Sequence, residues 1–298
     1  MAKPKLKISA GNLPFGIHYC WIVVGILASV QILASSISMA AGILVPPLTD
    51  SQGGFGWSIG IVSLGLATYY LCGAIFAPIS GWLGDRYGAR KMMRAGGVLY
   101  AVSMILLGFI QELWQFFLVF GVLLSMTQSI SMVPLMASVS GWFKRRLGLG
   151  TGILWAAGGV GTAILAPLMG YLIENVGWQA TFWSIGAAGG AIILSLSIFL
   201  RNSPAEAGLK PYGALDSDAL APPRDRAVER LRLKVFNQHI RRTRAFWNLP
   251  VIHGLGCAGH GVILIFSIPV AVSQGLTLTQ GAVILTVLSL VSVLSRFS

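Results

Sequence analysis

Seven stretches of this sequence contain no Asp, Glu, Lys or Arg: residues 19–45, 51–84, 95–111, 113–143, 147–173, 175–200 and 245–295. About 20 apolar residues in a helix cross the hydrocarbon layer of a bilayer, so each stretch has roughly the length of a span. The last is long enough for two, and the polar, glycine-bearing QGLTLTQG at 274–281 divides it. Eight transmembrane helices are therefore expected. Only 10% of the 298 residues are charged and the mean hydropathy is +0.77, against roughly 25% charged in a soluble domain. The fold class expected is an all-α membrane protein.

The opening MAKPKLK followed by apolar residues has the charge order of a secretory signal. The run is too long for a signal core of about 7–15 residues and no small-x-small cleavage site is suitably placed, so it is read as the first span. Cys20, Cys72 and Cys257 stand alone within or at the ends of spans, and they indicate neither a disulfide framework nor a CxxC metal site.

The basic residues set the orientation. Lys3, Lys5 and Lys7 precede span 1; Arg86, Arg90, Lys91 and Arg94 lie between spans 2 and 3; Lys144, Arg145 and Arg146 lie between spans 4 and 5; ten more lie between spans 6 and 7. The alternate connections at 46–56, 111–114, 174–178 and 274–281 have no Lys or Arg. Because Lys and Arg collect on the cytoplasmic side of short loops, the amino terminus is expected inside, in a bacterial inner membrane or a plasma membrane. The net charge of +12 then reflects membrane orientation, and no nucleic-acid partner is expected. Only the 6/7 loop has room for a basic surface separate from the spans.

That loop, 201–244, opens with the turn-rich SPAEAGLKPYGALDSDALAPP and continues as RDRAVERLRLKVFNQHIRR. Val228, Leu231, Val235 and Ile240 recur near helical spacing among arginines, which fits a helix lying on the anionic inner leaflet. A solvated charged linker is the competing reading. Three parts follow: a six-helix bundle over 1–200, a cytoplasmic loop with a basic amphipathic helix over 201–245, and the first two helices of a second bundle over 246–298.

Between spans 2 and 3 the sequence reads GWLGDRYGARK, residues 81–91. Gly81, Leu83, Gly84, Asp85, Arg86, Gly88, Arg90 and Lys91 fit G-x-L-[AG]-D-R-x-G-x-[RK]-[RK]. This resembles the signature loop of the major facilitator superfamily. The resemblance implies two six-helix halves, each of inverted three-helix repeats, rocking about a central site. It further implies a conformational latch for the outward-open state formed by Gly81, Asp85, Arg86, Gly88 and Arg90 against the second half. Ala89 stands where the family pattern is often basic, and a tight turn with snorkelling arginines is the plainer alternative. On its own terms, Gly81 permits close approach of a neighbouring helix, while Asp85 can face a helix amino terminus or pair with Arg86 or Arg90.

GFGWS at 54–58, SGWFKRRLGLGTG at 140–152, GW at 177–178, SPAEAGLKPYG at 203–213 and AFW at 245–247 together resemble the monocarboxylate and oxalate/formate antiporter branch. Span 1 departs from some of its members in having neither Lys nor an acidic residue. Spans 1, 4 and 7 line the cavity in this family. Gln31, Ser35 and Ser38 share one face of span 1, Ser125, Gln128 and Ser129 cluster in span 4, and His253, His260 and Ser267 repeat every seven residues in span 7. Gln31, Gln128 and His260 are the candidate substrate contacts, because polar groups within the bilayer are functional candidates by default. An interhelical hydrogen bond, worth roughly 0.6–2 kcal/mol, is the competing role.

Ser289, Ser292 and Arg296 share a face of span 8, and the resembled branch carries an arginine in this helix that receives the substrate carboxylate. A guanidinium suits the task, since its fork matches a carboxylate and stays charged when dehydrated. The alternative is that Arg296 simply ends the span at the inner surface. Span 5 reads GGVGTAILAPLMG at 158–170 without the GP pair of drug/proton antiporters, and spans 1–7 have no carboxylate in their cores as sugar or peptide carriers usually do.

The expectation is a secondary carrier of small organic anions, monocarboxylate or dicarboxylate, working by alternating access. It would be a monomer with protons as the candidate coupling ion, with neither enzymatic activity nor a cofactor or metal. A carrier of another small solute, including drug or metabolite efflux, and a receptor-like member are the alternatives. His253 and His260 share one helix, which argues against a bis-histidine haem site. The sequence stops before a second signature loop, so a carboxy-terminally truncated carrier lacking four spans, and inactive alone, is expected.

Overall fold

The structure, a computed structural model, describes residues 18–50, 54–214, 228, 231, 235–236 and 238–295. Its helices are α1 (Tyr19–Thr49), α2 (Ile59–Tyr87), α3 (Ala89–Leu107), α4 (Leu113–Trp142), α5 (Leu147–Val176), α6 (Trp178–Phe199), α7 (Arg244–Ser273) and α8 (Leu278–Ser295). Among the described residues there is no strand; one isolated bridge pairs Phe143 with Tyr212. Seven of the eight helices are long and apolar enough to cross a membrane. The exception is α3, whose first two turns carry Arg90, Lys91 and Arg94, leaving a shorter apolar length than the other helices have. Residues 117–124 of α4 form a π-type stretch within an otherwise α-helical span.

Two joints have the same geometry. The connection from α2 to α3 is the single residue Gly88 at φ +83°, ψ 156°, and that from α5 to α6 is Gly177 at φ +85°, ψ 158°. A positive φ is available to glycine without steric cost, so one residue reverses the chain between two long helices. Gly88 lies at the end bearing the basic loops and Gly177 at the cation-free end. The equivalent joint thus recurs three helices later at the opposite end, as an inverted repeat of α1–α3 and α4–α6 requires.

The seams between helices are made by small residues. Gly186, Gly189 and Gly190 of α6 admit Met104, Tyr100 and Ala101 of α3 so closely that a Cβ there would lie 2.5–2.7 Å from them. Gly121 of α4 meets Thr68 of α2 in the same way at 2.9 Å. Without a hydrophobic force between helices in lipid, such close approach supplies the van der Waals contact that holds a bundle. Buried polar pairs add to it: Ser36 of α1 bonds Tyr100 of α3 at 2.7 Å, and Ser103 of α3 bonds Thr127 of α4 at 3.2 Å. Outward positions such as Leu64, Leu71, Ile75 and Trp82 on α2 are apolar and exposed, as surfaces meeting acyl chains are.

At the basic end, the segment after α6 folds back across the bundle. Tyr212 donates its N–H to the Trp142 carbonyl at 2.9 Å and accepts from Lys144 N–H at 3.0 Å; its ring packs against His18, Trp21 and Phe143. His18 caps α1, its Nδ1 accepting the Cys20 N–H at 3.2 Å while Nε2 lies 3.1 Å from the Lys210 carbonyl. Both bonds suit the neutral imidazole with its proton on Nε2. Burial pushes the His18 pKa below the ordinary imidazole value, outweighing the bond to Lys210 that raises it. The cap on α1 is whole above the ordinary range and is lost as pH falls through the lowered pKa, when Nδ1 can no longer accept from Cys20, while Nε2–H goes on donating to Lys210. Hydrogen exchange of the Cys20 amide, corrected for intrinsic rate, is expected to rise several-fold between about pH 7.5 and about pH 5.5 and to show no such rise in His18→Gln. A rise of equal size in that variant would discount the imidazole.

In the connection before α7, Val228, Leu231, Val235, Phe236 and residues 238–240 are helical, with those four side chains exposed. The other residues of 215–237 lie outside the described set. α7 begins at Arg244, two residues before the expected boundary of the last part.

Candidate functional site

α5 is the element against which the candidate residues are placed, and it presents two faces. One meets α1: a Cβ on Gly158 would sit 3.2 Å from Nε2 of Gln31, and one on Gly161 would sit 2.6 Å from the Ile32 carbonyl oxygen and against the Ser35 hydroxyl. Ser35, buried, returns its hydroxyl to the Ile32 carbonyl at 2.6 Å. The other face meets α8: Gly159 approaches Ser289 and Val293, Thr286 donates to the Ala163 carbonyl at 3.0 Å, and Gly170 approaches Thr279. Gln31 and the Ser289 face of α8 are therefore brought to opposite sides of the Gly158–Gly159 pair.

Gln31 lies about 18 Å along α1 from the basic end, and Gln128 about 21 Å along α4, at ~1.5 Å per residue. Both are near the middle of a ~30 Å hydrocarbon layer. Gln128 is half-buried; its Nε2 points to Met132 Sδ at 3.7 Å and its Oε1 is buried without a hydrogen-bond partner. A buried amide oxygen left unpaired carries a desolvation cost of roughly 1–3 kcal/mol, which a donor supplied by a ligand would recover. The neighbouring Ser125 is satisfied by the Tyr69 carbonyl of α2 at 2.7 Å, so it holds helices together. On α7 the Ser267 hydroxyl is likewise buried and unpaired. His253 and His260 fall on α7, and their side chains lie outside the described residues, as does Arg296. Ser289 is buried, Ser292 half-buried, and the described part of α8 ends at Ser295, immediately before Arg296. Among the described residues no group of three His, Cys, Asp or Glu side chains is placed to hold a metal ion.

The signature loop separates into parts. A Cβ on Gly81 would make only ordinary contact with Val133 of α4, at 3.6 Å; the tight approach falls at Gly84, where a Cβ would lie 2.7 Å from Pro134. Arg86 lies over the rings of Trp82 and Tyr87 at 5.4 and 5.5 Å. Arg90 donates from Nε to the Ser197 carbonyl at 3.2 Å and from Nη2 to the Ile198 carbonyl at 2.9 Å, a cation on the open C-terminal end of α6. Its backbone N–H donates to Asn202 Oδ1 at 2.8 Å, with Gly88 packed against the same side chain. Asp85 is exposed, and among the described residues it has no ion-pair partner; neither Arg86 nor Arg90 is paired with it.

Two contacts were not anticipated from sequence. Thr286 ties α8 to α5 in mid-membrane. At the cation-free end, Glu174 of α5 accepts from the Thr279 N–H at 2.8 Å and the Thr279 hydroxyl at 2.7 Å. The signal for the second lay in T-x-x-Q at 277–280, a helix-start pattern that the polar segment 274–281 conceals.

Helices joined through glycine seams, seven of them long and apolar enough to cross a membrane, with cations gathered at one end, define a multi-pass integral membrane protein. Residues 27–298 match the Major Facilitator Superfamily model, and the chain belongs to that superfamily. It is 27% identical over 208 residues to monocarboxylate transporter 11 of Mus musculus, covering 68% of this chain and 42% of that protein. It is 26% identical over 260 residues to monocarboxylate transporter 11 of Homo sapiens, covering 86% and 50%. Monocarboxylate transporter 3 of Rattus norvegicus is 26% identical over 278 residues, covering 93% and 53%. The chain spans about half the length of the relatives it matches, which are named as transporters and not as enzymes.

Proposed function

We propose that the protein is a carrier of small organic anions, monocarboxylates in the first place, with its amino terminus in the cytoplasm and the cation-free end outside. The observation that carries this reading is the α8 face seated on α5, with Ser289 buried and Ser292 half-buried, which Arg296 continues in sequence. No Lys, Arg, Asp or Glu lies in the cores of the first seven spans, so an anion entering the bundle has Arg296 as its counter-charge. A guanidinium receives a carboxylate through two parallel bonds, and Gln31, Gln128 and His260 contribute polar contacts around it. The names of the matched relatives support the same substrate class.

In this reading the two halves rock about the central site in alternating access, as a monomer, with protons as the coupling ion. Gly81, Asp85, Arg86, Gly88 and Arg90 form the cytoplasmic latch with divided labour. Arg90 and Gly88 brace α3 to α6 and Asn202, and Asp85, exposed, is the member free to engage the second half. Counterflow tests the carrier reading: the longest open reading frame containing this chain, reconstituted in liposomes, is expected to accumulate labelled monocarboxylate against an unlabelled internal pool. Binding without exchange would favour a receptor-like member, and exchange of an uncharged or cationic solute alone would replace the substrate class.

A further inference from the structure

The capping of α8 is shared between two parts of the bundle. Thr277 and Gln280 satisfy each other across the helix start, Gln280 N–H donating to Thr277 Oγ1 at 3.2 Å and Thr277 N–H to Gln280 Oε1 at 3.0 Å. The N–H of Thr279 is left over by this reciprocal arrangement, and the partner it finds is the carboxylate of Glu174 on α5, which also takes the Thr279 hydroxyl. One turn below, Gly170 lets the Thr279 backbone come within 3.1 Å of where a Cβ would stand. The last two helices are thus bolted to the first six at the cation-free end by one carboxylate on the positive end of a helix dipole.

We propose that Glu174 is a protonation-sensitive bolt that keeps the cation-free end shut, and that its neutralisation frees the start of α8 to swing away from α5. A proton from bulk water adds to one carboxylate oxygen as an O–H, that oxygen stops accepting from Thr279, and the charge on the helix terminus is gone. Segments 46–57, 111–114, 174–178 and 274–281 contain no Lys, Arg or His, so the loops of this end offer the Glu174 carboxylate no cation as an alternative partner. The titratable groups at this end besides Glu174 are Asp50, Glu112 and, one turn before it on α5, Tyr171. Burial raises the Glu174 carboxyl, but hydrogen bonds from Thr279, Thr277 and Leu278 outweigh it and hold the group below the ordinary carboxylate value; with the orientation proposed above, external acidity beyond that range unlocks the outer end. This deepens the carrier reading by naming where a proton acts on it.

The test is a distance measurement that needs no substrate. Spin labels on Val176→Cys and Leu276→Cys, both exposed positions, are introduced in the 298-residue chain with its native cysteines replaced by alanine, in lipid nanodiscs. At neutral pH a single short separation is expected. Glu174→Gln, which keeps size but presents an amide N–H where a carboxylate oxygen accepts, is expected to shift the ratio of short to long separations by about tenfold, as loss of a charge-assisted bond does. Thr279→Val, which removes only the hydroxyl, shifts it less. Acidification to below the ordinary carboxylate range reproduces the Glu174→Gln distribution in the unsubstituted chain and adds nothing in the variant. Unchanged distances in Glu174→Gln overturn the bolt; an acid response that persists in Glu174→Gln assigns it to Asp50 or Glu112 and overturns the proton sensitivity. Failure of counterflow with these distances as expected would overturn the carrier reading and leave the bolt standing.

Discussion

Gly161→Ala is expected to lower the thermal unfolding temperature in detergent by about 5–10 °C, whereas Gly158→Ala, one turn away on the same seam, changes it little. The added methyl at 161 meets the Ile32 carbonyl oxygen at 2.6 Å and its Cα at 2.7 Å. Both are backbone atoms that no rotamer change can move, so α1 and α5 must part. Overpacking of a close seam costs roughly 1–3 kcal/mol, and each kcal/mol is worth about 2–4 °C in a protein of this size. At 158 the nearest atom is the Nε2 end of Gln31 at 3.2 Å, which swings aside, and alanine's helix propensity offsets up to about 1 kcal/mol. Equal midpoints for the two variants would show that α1 and α5 are not held by this contact.

Arg296→Lys is expected to weaken monocarboxylate binding by more than tenfold in the protein that contains this chain, measured as the Kd of a labelled ligand. Lysine keeps the charge, so long-range attraction survives. What disappears is the planar fork that holds two carboxylate oxygens at once and fixes the anion's orientation. Tenfold corresponds to about 1.4 kcal/mol, within the net worth of a single charge-assisted bond. If Arg296 only terminates α8 at the inner surface, lysine serves equally well and affinity stays near normal. That outcome removes Arg296 from the site.

The helices were legible because lipid imposes one requirement on every span: each must be long and apolar. The runs beginning at 19, 113, 147 and 175 correspond to α1, α4, α5 and α6 within a few residues. The single-glycine joints at 88 and 177 could be located in the sequence but not read as equivalents, since their positive φ is a property of the folded backbone. Arg90 was legible as a cation and not as the cap of α6, because its partners are carbonyls 107 and 108 residues away that carry no sequence signature. Glu174 was hidden in a different way. A loop carboxylate looks solvated until the opposing helix start is brought beside it. GGVG at 158–161 registered only as a missing GP pair, though each glycine opens α5 to a particular neighbour. Gln31 and Gln128 could be picked out in the sequence as polar groups within apolar spans, and the orphaned Oε1 of Gln128 is a detail that only packing reveals.

The two glycine-bearing faces of α5 have a mechanical consequence. Gly159, Ala163, Gly170 and Glu174 follow one another along the side that carries α8. A track with so few protruding side chains offers little to interlock, and its polar fastenings are the Thr286 hydroxyl at mid-height and the Glu174 carboxylate at its tip. Such a rail holds α8 by dispersion along its length rather than by interlocked side chains, so what fixes its position along α5 is concentrated in those two polar fastenings.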